Sequence, residues 1–156
     1  MTRKEKAMQY FLDGYNCSQC ILLAFEDVYE LDAKTALKIA SPFGGGMGRL
    51  REVCGSVSGM FMVLGLLYGY DDAENYEGKK ALYEHVQELA RRYEQANGSI
   101  ICRELLGLDV KRQEATPEQR TEEYYKKRSC KESVGSAAEI LEQYLNELGK
   151  FHTSNV

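Results

Sequence analysis

The chain has 156 residues, 44% of them hydrophobic and 28% charged, and a net charge of −4. That length and balance fit one globular domain, residues 1–156, able to bury a core without cross-links. The charge gives no basic field for nucleic acid, and no apolar run approaches the roughly 18 residues a membrane span needs.

The first residues, Met1-Thr2-Arg3-Lys4-Glu5-Lys6, lack the apolar core of a signal peptide. The expectation is therefore a cytoplasmic chain whose thiols are kept reduced. From there the apolar spacing is helical almost throughout. A first amphipathic helix is expected over Lys4–Leu12, stopped by Asp13-Gly14. Asn16 caps a second, from Cys17 to about Tyr29, and Asp32 caps a third that ends at Ser41-Pro42. Phe43-Gly44-Gly45-Gly46-Met47-Gly48-Arg49 is the least helical stretch. Val53–Tyr68 is apolar on nearly all sides, which places it at the centre, and Gly55 and Gly59 leave room on it for a neighbouring backbone.

A long helix over Tyr76–Ala96 closes at Asn97-Gly98. Ser99 caps a short helix over Ile100–Leu106, and Pro117 opens another that runs to Lys127. Lys131–Leu148 forms the last, stopped by Gly149. No segment has the alternation or hairpin turns of a strand. The predicted fold is all-α: a single-domain bundle of about seven to eight helices around a central apolar helix.

Chemistry is sought first in Cys17, Cys20, Cys54, Cys102 and Cys130. An odd number in a reducing compartment speaks against a disulfide framework. Cys17, Cys54, Cys102 and Cys130 each fall near a predicted helix start, and cationic residues lie close to three of them in sequence: Arg49 and Arg51, Arg103, and Lys126-Lys127-Arg128. Helix starts and cations favour anionic sulfur. Against this stands simple burial, since free cysteine is among the most buried residue types. Cys17 and Cys20 form a C-x-x-C without the preceding strand of a thioredoxin-type motif, and Ile21 stands where a haem-binding histidine would be. No second C-x-x-C supports a zinc ribbon.

The glycine run is neither a Rossmann nor a Walker loop. It remains a candidate cradle for an anion or cofactor through Gly44, Gly45, Gly46, Gly48 and Arg49, or else a plain interhelix turn. His85 and His152 read as solvated, the acidic residues as helix surface, and the tyrosines, Tyr124 and Tyr125 among them, as packing.

Gly14-Tyr15-Asn16-Cys17, Phe43–Gly48, Val53-Cys54-Gly55-Ser56-Val57-Ser58-Gly59, Cys102 and Cys130 together resemble the bacterial and archaeal family named after its motif, C_GCAxxG_C_C. The resemblance runs from about Tyr10 to Tyr144. It implies thiol or metal redox chemistry on Cys17, Cys54, Cys102 and Cys130, and names no substrate. Cys20 would be an addition, alanine being usual at that place, and Ser56 also stands where alanine is expected.

Three functions follow as expectations. One is a redox-active protein holding an iron–sulfur cluster or another soft metal through those four cysteines, as an oxidoreductase or electron-transfer component. Another is a metal-free thiol–disulfide oxidoreductase with Cys17 as the acidic attacker and Cys20 or Cys54 resolving, so that Cys17 and Cys54 are the candidate catalytic residues. The third is an accessory binding domain with structural cysteines and no cofactor. A redox partner protein is expected, neither nucleic acid nor membrane is, and a homodimer is left open. The four cysteines should gather around the glycine loop, with at least two pairs within disulfide or shared-metal reach.

Overall fold

Side-chain caps set where five of the eight helices begin. Asn16 accepts the Gln19 backbone N–H at 3.0 Å while Gln19 accepts the Asn16 N–H at 3.1 Å, a reciprocal pair that satisfies two of the otherwise unpartnered donors of a helix start. Thr2 and Glu5 repeat the arrangement, and Asp32 caps onto Thr35. The structure, a computed structural model, describes residues 1–151. It contains α1 (Arg3–Leu12), α2 (Cys17–Ala24), α3 (Ala33–Ala40), α4 (Gly55–Tyr68), α5 (Tyr76–Asn97), α6 (Cys102–Leu105), α7 (Glu122–Lys127) and α8 (Cys130–Glu147). A 3₁₀ turn at Ser41–Phe43 and a tight turn at Gly44–Met47 link α3 to the segment before α4. Among the described residues there is no strand, only an isolated antiparallel bridge between Val53 and Ile101.

The all-α expectation therefore holds, with four boundaries moved. Helix α2 ends at Ala24 rather than near Tyr29, because the chain folds back and the Tyr29 hydroxyl donates to the Leu22 carbonyl at 2.7 Å. Val53-Cys54 and Ile100-Ile101 leave the helices that periodicity gave them and pair with each other, the Cys54 N–H donating to the Ile100 carbonyl at 2.8 Å. Pro117 does not open a helix. Thr121 caps α7 instead, and the residues before it run irregularly along the site described below.

The core forms where α4 packs among α2, α5 and α8, with α1 against α2 and α8. Val57, Met60, Val63 and Leu64 of α4 are fully buried, as are Ile21, Leu89, Tyr93, Leu141 and Leu145 of its neighbours. Helix α2 is as enclosed as α4, seven of its eight residues being buried. The two helices approach closely because α4 shows α2 two glycines one turn apart. A Cβ on Gly55 would stand 2.9 Å from the Cys17 Cβ, and one on Gly59 would stand 2.8 Å from the Ile21 Cβ. Side chains at i and i+4 share a helix face, so two missing Cβ atoms make a groove into which α2 settles.

Candidate redox site

The backbone around the glycine run supplies the site's frame. Gly45, Gly46, Met47, Gly48 and Arg49 all take positive φ, between 61° and 71°, and the Gly48 N–H donates to the Gly44 carbonyl at 2.9 Å. This is one turn of left-handed helix, a conformation that costs an ordinary L-residue roughly 1–2 kcal/mol. Glycine carries three of the five positions, but Met47 and Arg49 are held there, as is Arg51 at φ 59°. Hydrogen bonds to two distant segments hold them: the Arg103 N–H donates to the Arg51 carbonyl at 3.2 Å and the Gln113 N–H to the Arg49 carbonyl at 2.9 Å. Strain maintained this way marks a place where geometry matters more than local stability.

Two absent Cβ atoms in the frame make space for other site residues. A Cβ on Gly44 would fall 2.5 Å from that of Asn16, whose side chain caps α2 and donates to the Ser41 carbonyl at 3.0 Å. A Cβ on Gly46 would fall 2.6 Å from that of Cys102. The glycine run thus seats the start of α2, which carries Cys17, and the start of α6, which carries Cys102. The bridge between Val53 and Ile101 brings Cys54 alongside.

Cys17, Cys54, Cys102 and Cys130 all line one cavity of about 380 Å³, together with Gly44, Gly45, Gly46 and Gly48 and with Arg49 and Arg51. Cys20, one turn from Cys17, is wholly buried outside it and directs its sulfur at the Tyr15 carbonyl, 3.7 Å away. All five cysteines are unpaired thiols. Cys17 and Cys130, at the starts of α2 and α8, act on each other's ionisation. Among the described residues, no group of three Cys, His, Asp or Glu side chains is placed to hold a single metal ion. The four cysteines thus share one cavity, as expected, but of the two or more close pairs expected only Cys17 and Cys130 are seen to interact.

The electrostatics correct one expectation. Cys17 is not the acidic thiol: its hydrogen bond to Cys130 and its burial push its pKa well up, despite the Asn16 cap. The cap and the α2 dipole are outweighed because Cys17 is 8% exposed and acts as the proton donor of the pair. The acidic member is Cys130, lowered to about 7 by the hydrogen bond from Cys17 and, against the opposing effect of burial, by the charges of Arg128, Arg51 and Arg120. Burial raises Cys54, against which the Tyr93 hydroxyl, 3.7 Å from the sulfur, and Ser56 act. Burial also raises Cys102, partly offset by Arg51, whose Nη1 donates to the Cys102 sulfur at 3.4 Å.

A comparison with protein families matches residues 15–144 to the family described as "Putative redox-active protein (C_GCAxxG_C_C)". The chain belongs to this family. The matched segment of this C_GCAxxG_C_C protein contains all four cavity cysteines and the whole glycine run. No curated protein and no solved structure matches the chain.

Several residues at the site of this family member escaped the sequence reading. Arg120 reaches across from the irregular stretch before α7, donating to the Phe11 and Tyr15 carbonyls, with its guanidinium carbon 3.9 Å from the centroid of the Phe11 ring. Glu118 pairs with Arg128, and Tyr93 comes from the C-terminal part of α5. No local pattern marks these residues, because each reaches the cysteines only through tertiary packing. Tyr124 lines the cavity as well as packing against Tyr125. His85 is not simply solvated: its Nδ1 lies 2.6 Å from the Tyr144 hydroxyl and its ring packs against Tyr68. His152 lies outside the described residues.

Proposed function

We propose that the cavity is a redox centre in which Cys17, Cys54, Cys102 and Cys130 hold an iron–sulfur cluster. The observation that carries this reading is selective convergence. Four cysteines from four separate segments line one cavity, while a fifth, one turn from Cys17, is kept out. Their donor type and number suit the group, since thiolates select iron–sulfur clusters and four of them hold one. A two-iron cluster needs two thiolates at each iron: Cys17 and Cys130 would hold one, and Cys54 and Cys102, which line the same cavity, would hold the other. A single four-thiolate ion fits less well, because it needs three or more ligands around one point.

When bound, such a cluster supplies one-electron chemistry at a potential set by charge, hydrogen bonding and solvent access. The chain's own residues bear on each of these. Cys17, Cys54 and Cys102 are 8%, 6% and 6% exposed, which limits water. Arg51 sets a cation against the Cys102 sulfur, and Tyr93 and Ser56 flank that of Cys54. A redox partner protein would exchange the electron. Protein purified without air should contain about two irons and two acid-labile sulfides per chain, with visible absorption that bleaches on reduction. Colourless protein without iron would refute the cluster.

The Cys17–Cys130 interaction favours a second reading, a metal-free dithiol couple. The Cys130 thiolate would attack a substrate disulfide and release one substrate thiol. Cys17 would then displace the other, leaving a Cys17–Cys130 disulfide and two reduced substrate sulfurs. In that case the attacker is Cys130 and the resolving residue Cys17. Iron-free protein that cycles between dithiol and a Cys17–Cys130 disulfide would favour this reading over the cluster.

A further inference from the structure

We infer that the same cavity is a binding site for a small oxyanion, held by Arg49 and Arg51 beside the cysteines. The inference takes the cavity as the redox site proposed above and names what enters it. It stands on charge and shape, and neither requires a metal.

The cavity's volume, about 380 Å³, lies in the range of small-molecule sites, which run from roughly 300 to 1,000 Å³. Its walls carry three arginines, Arg49, Arg51 and Arg120, against one carboxylate, Glu118. That carboxylate is already engaged from behind by Arg128, whose side chain is 4% exposed. Two of the lining arginines are positioned by neutral groups alone. Arg51, 5% exposed, donates from Nε to the Gln113 side-chain carbonyl at 2.7 Å and from Nη1 to the Cys102 sulfur. Arg120 donates to two backbone carbonyls. Arg49 donates to the Glu114 carbonyl at 2.7 Å and comes only within 3.9 Å of Glu118.

A buried guanidinium without a carboxylate is costly unless an anion meets it. In the metal-free chain three lining guanidiniums face one carboxylate, Glu118, and one acidic thiol, Cys130, which leaves a net positive charge at the cavity. Guanidinium groups match the planar or tetrahedral oxygens of carboxylate, sulfate and phosphate. The backbone of Gly44, Gly45, Gly46 and Gly48 lines the same cavity and leads into the segment of chain that carries Arg49 and Arg51. The site is therefore built for an anion small enough to lie against the cysteines, with the arginines drawing it in.

The test is calorimetric titration of the full chain, as purified, with sulfate, phosphate and acetate in low-chloride buffer. The three probes separate tetrahedral oxyanion from carboxylate recognition. Saturable binding of at least one probe is expected, weakened roughly tenfold or more in Arg51→Gln and in Arg49→Gln. Arg49 is a partly exposed residue and provides a variant less dependent on the core. Three results overturn the inference: no saturable binding of any probe, unchanged binding in both variants, or binding that chloride matches at equal ionic strength. Iron and sulfide are assayed in the same samples. Absence of iron refutes the cluster without touching the anion result, and loss of anion binding in iron-loaded protein refutes this inference alone.

Discussion

Gly55 of α4 lies against Cys17 of α2 so closely that a Cβ on the glycine would stand 2.9 Å from that of the cysteine. The first residue of the central helix thus fixes how deeply the Cys17 thiol sits beside the cavity. The same helix holds Cys54 at its N-cap, so one close approach sets two of the four sulfurs.

Adding a methyl group there should be costly. Gly55→Ala and Gly59→Ala push α2 away from α4 and should each destabilise the protein by about 1–3 kcal/mol, the usual cost of overfilling a packed core. Gly65 lies on the same helix with nothing within 4 Å of its absent Cβ, so Gly65→Ala should stabilise by about 0.5–1 kcal/mol through helix propensity alone. Urea denaturation of the three variants measures both signs. A neutral Gly55→Ala would mean that the two helices are not held by the missing Cβ.

Thiol reactivity should separate Cys130 from Cys17. A hydrogen bond donated to a thiolate stabilises the charged form and lowers its pKa, while the donor thiol becomes harder to ionise. In the reduced, metal-free chain, alkylation of Cys130 should therefore rise with a midpoint near about 7, while Cys17 stays protonated well above the ordinary thiol range. Cys17→Ala removes the largest stabilising influence on the Cys130 thiolate, so the Cys130 midpoint should move up. Mass-spectrometric labelling against pH reads each cysteine separately. Labelling of Cys17 at lower pH than Cys130 would reverse the assignment.

The pair formed by Glu118 and Arg128 should contribute to stability as well as to charge. Arg128 has a side chain 4% exposed, so Glu118→Ala strands a buried cation. A fully buried pair broken this way costs roughly 3–5 kcal/mol. Glu118 is 30% exposed and solvent screens it, so about 1–3 kcal/mol is expected here. The double change Glu118→Leu with Arg128→Met should recover part of the loss in the same urea measurement. Equal stability of Glu118→Ala and the unaltered chain would show the ion pair to be incidental.

The sequence disclosed what local chemistry controls. Asn16 and Asp32 announce helix starts because a capping side chain acts within three residues of its own position, and α4 announces its burial by being apolar all round. The cysteine positions and the glycine run were legible as a pattern for the same reason. What failed was local inference where a distant partner decides. Val53-Cys54 and Ile100-Ile101 satisfy helical spacing, yet they form an antiparallel bridge in which the Cys54 N–H donates to the Ile100 carbonyl across more than forty intervening residues. Pro117 resembles a helix opener, but its stretch instead lines the cavity and carries Glu118 and Arg120. The helix start at Cys17 argues locally for an acidic thiol, and the thiol of Cys130, brought in by α8, reverses it.

The most direct test of the four-cysteine centre is iron and acid-labile sulfide content in a set of single cysteine variants purified without air. Cys17→Ser, Cys54→Ser, Cys102→Ser and Cys130→Ser should each lose most of the iron and sulfide together with the visible absorption, while Cys20→Ser keeps both. Iron and sulfide absent from the unaltered protein, or lost to the same extent in Cys20→Ser as in the other four, would contradict a centre built on the cysteines that line the cavity.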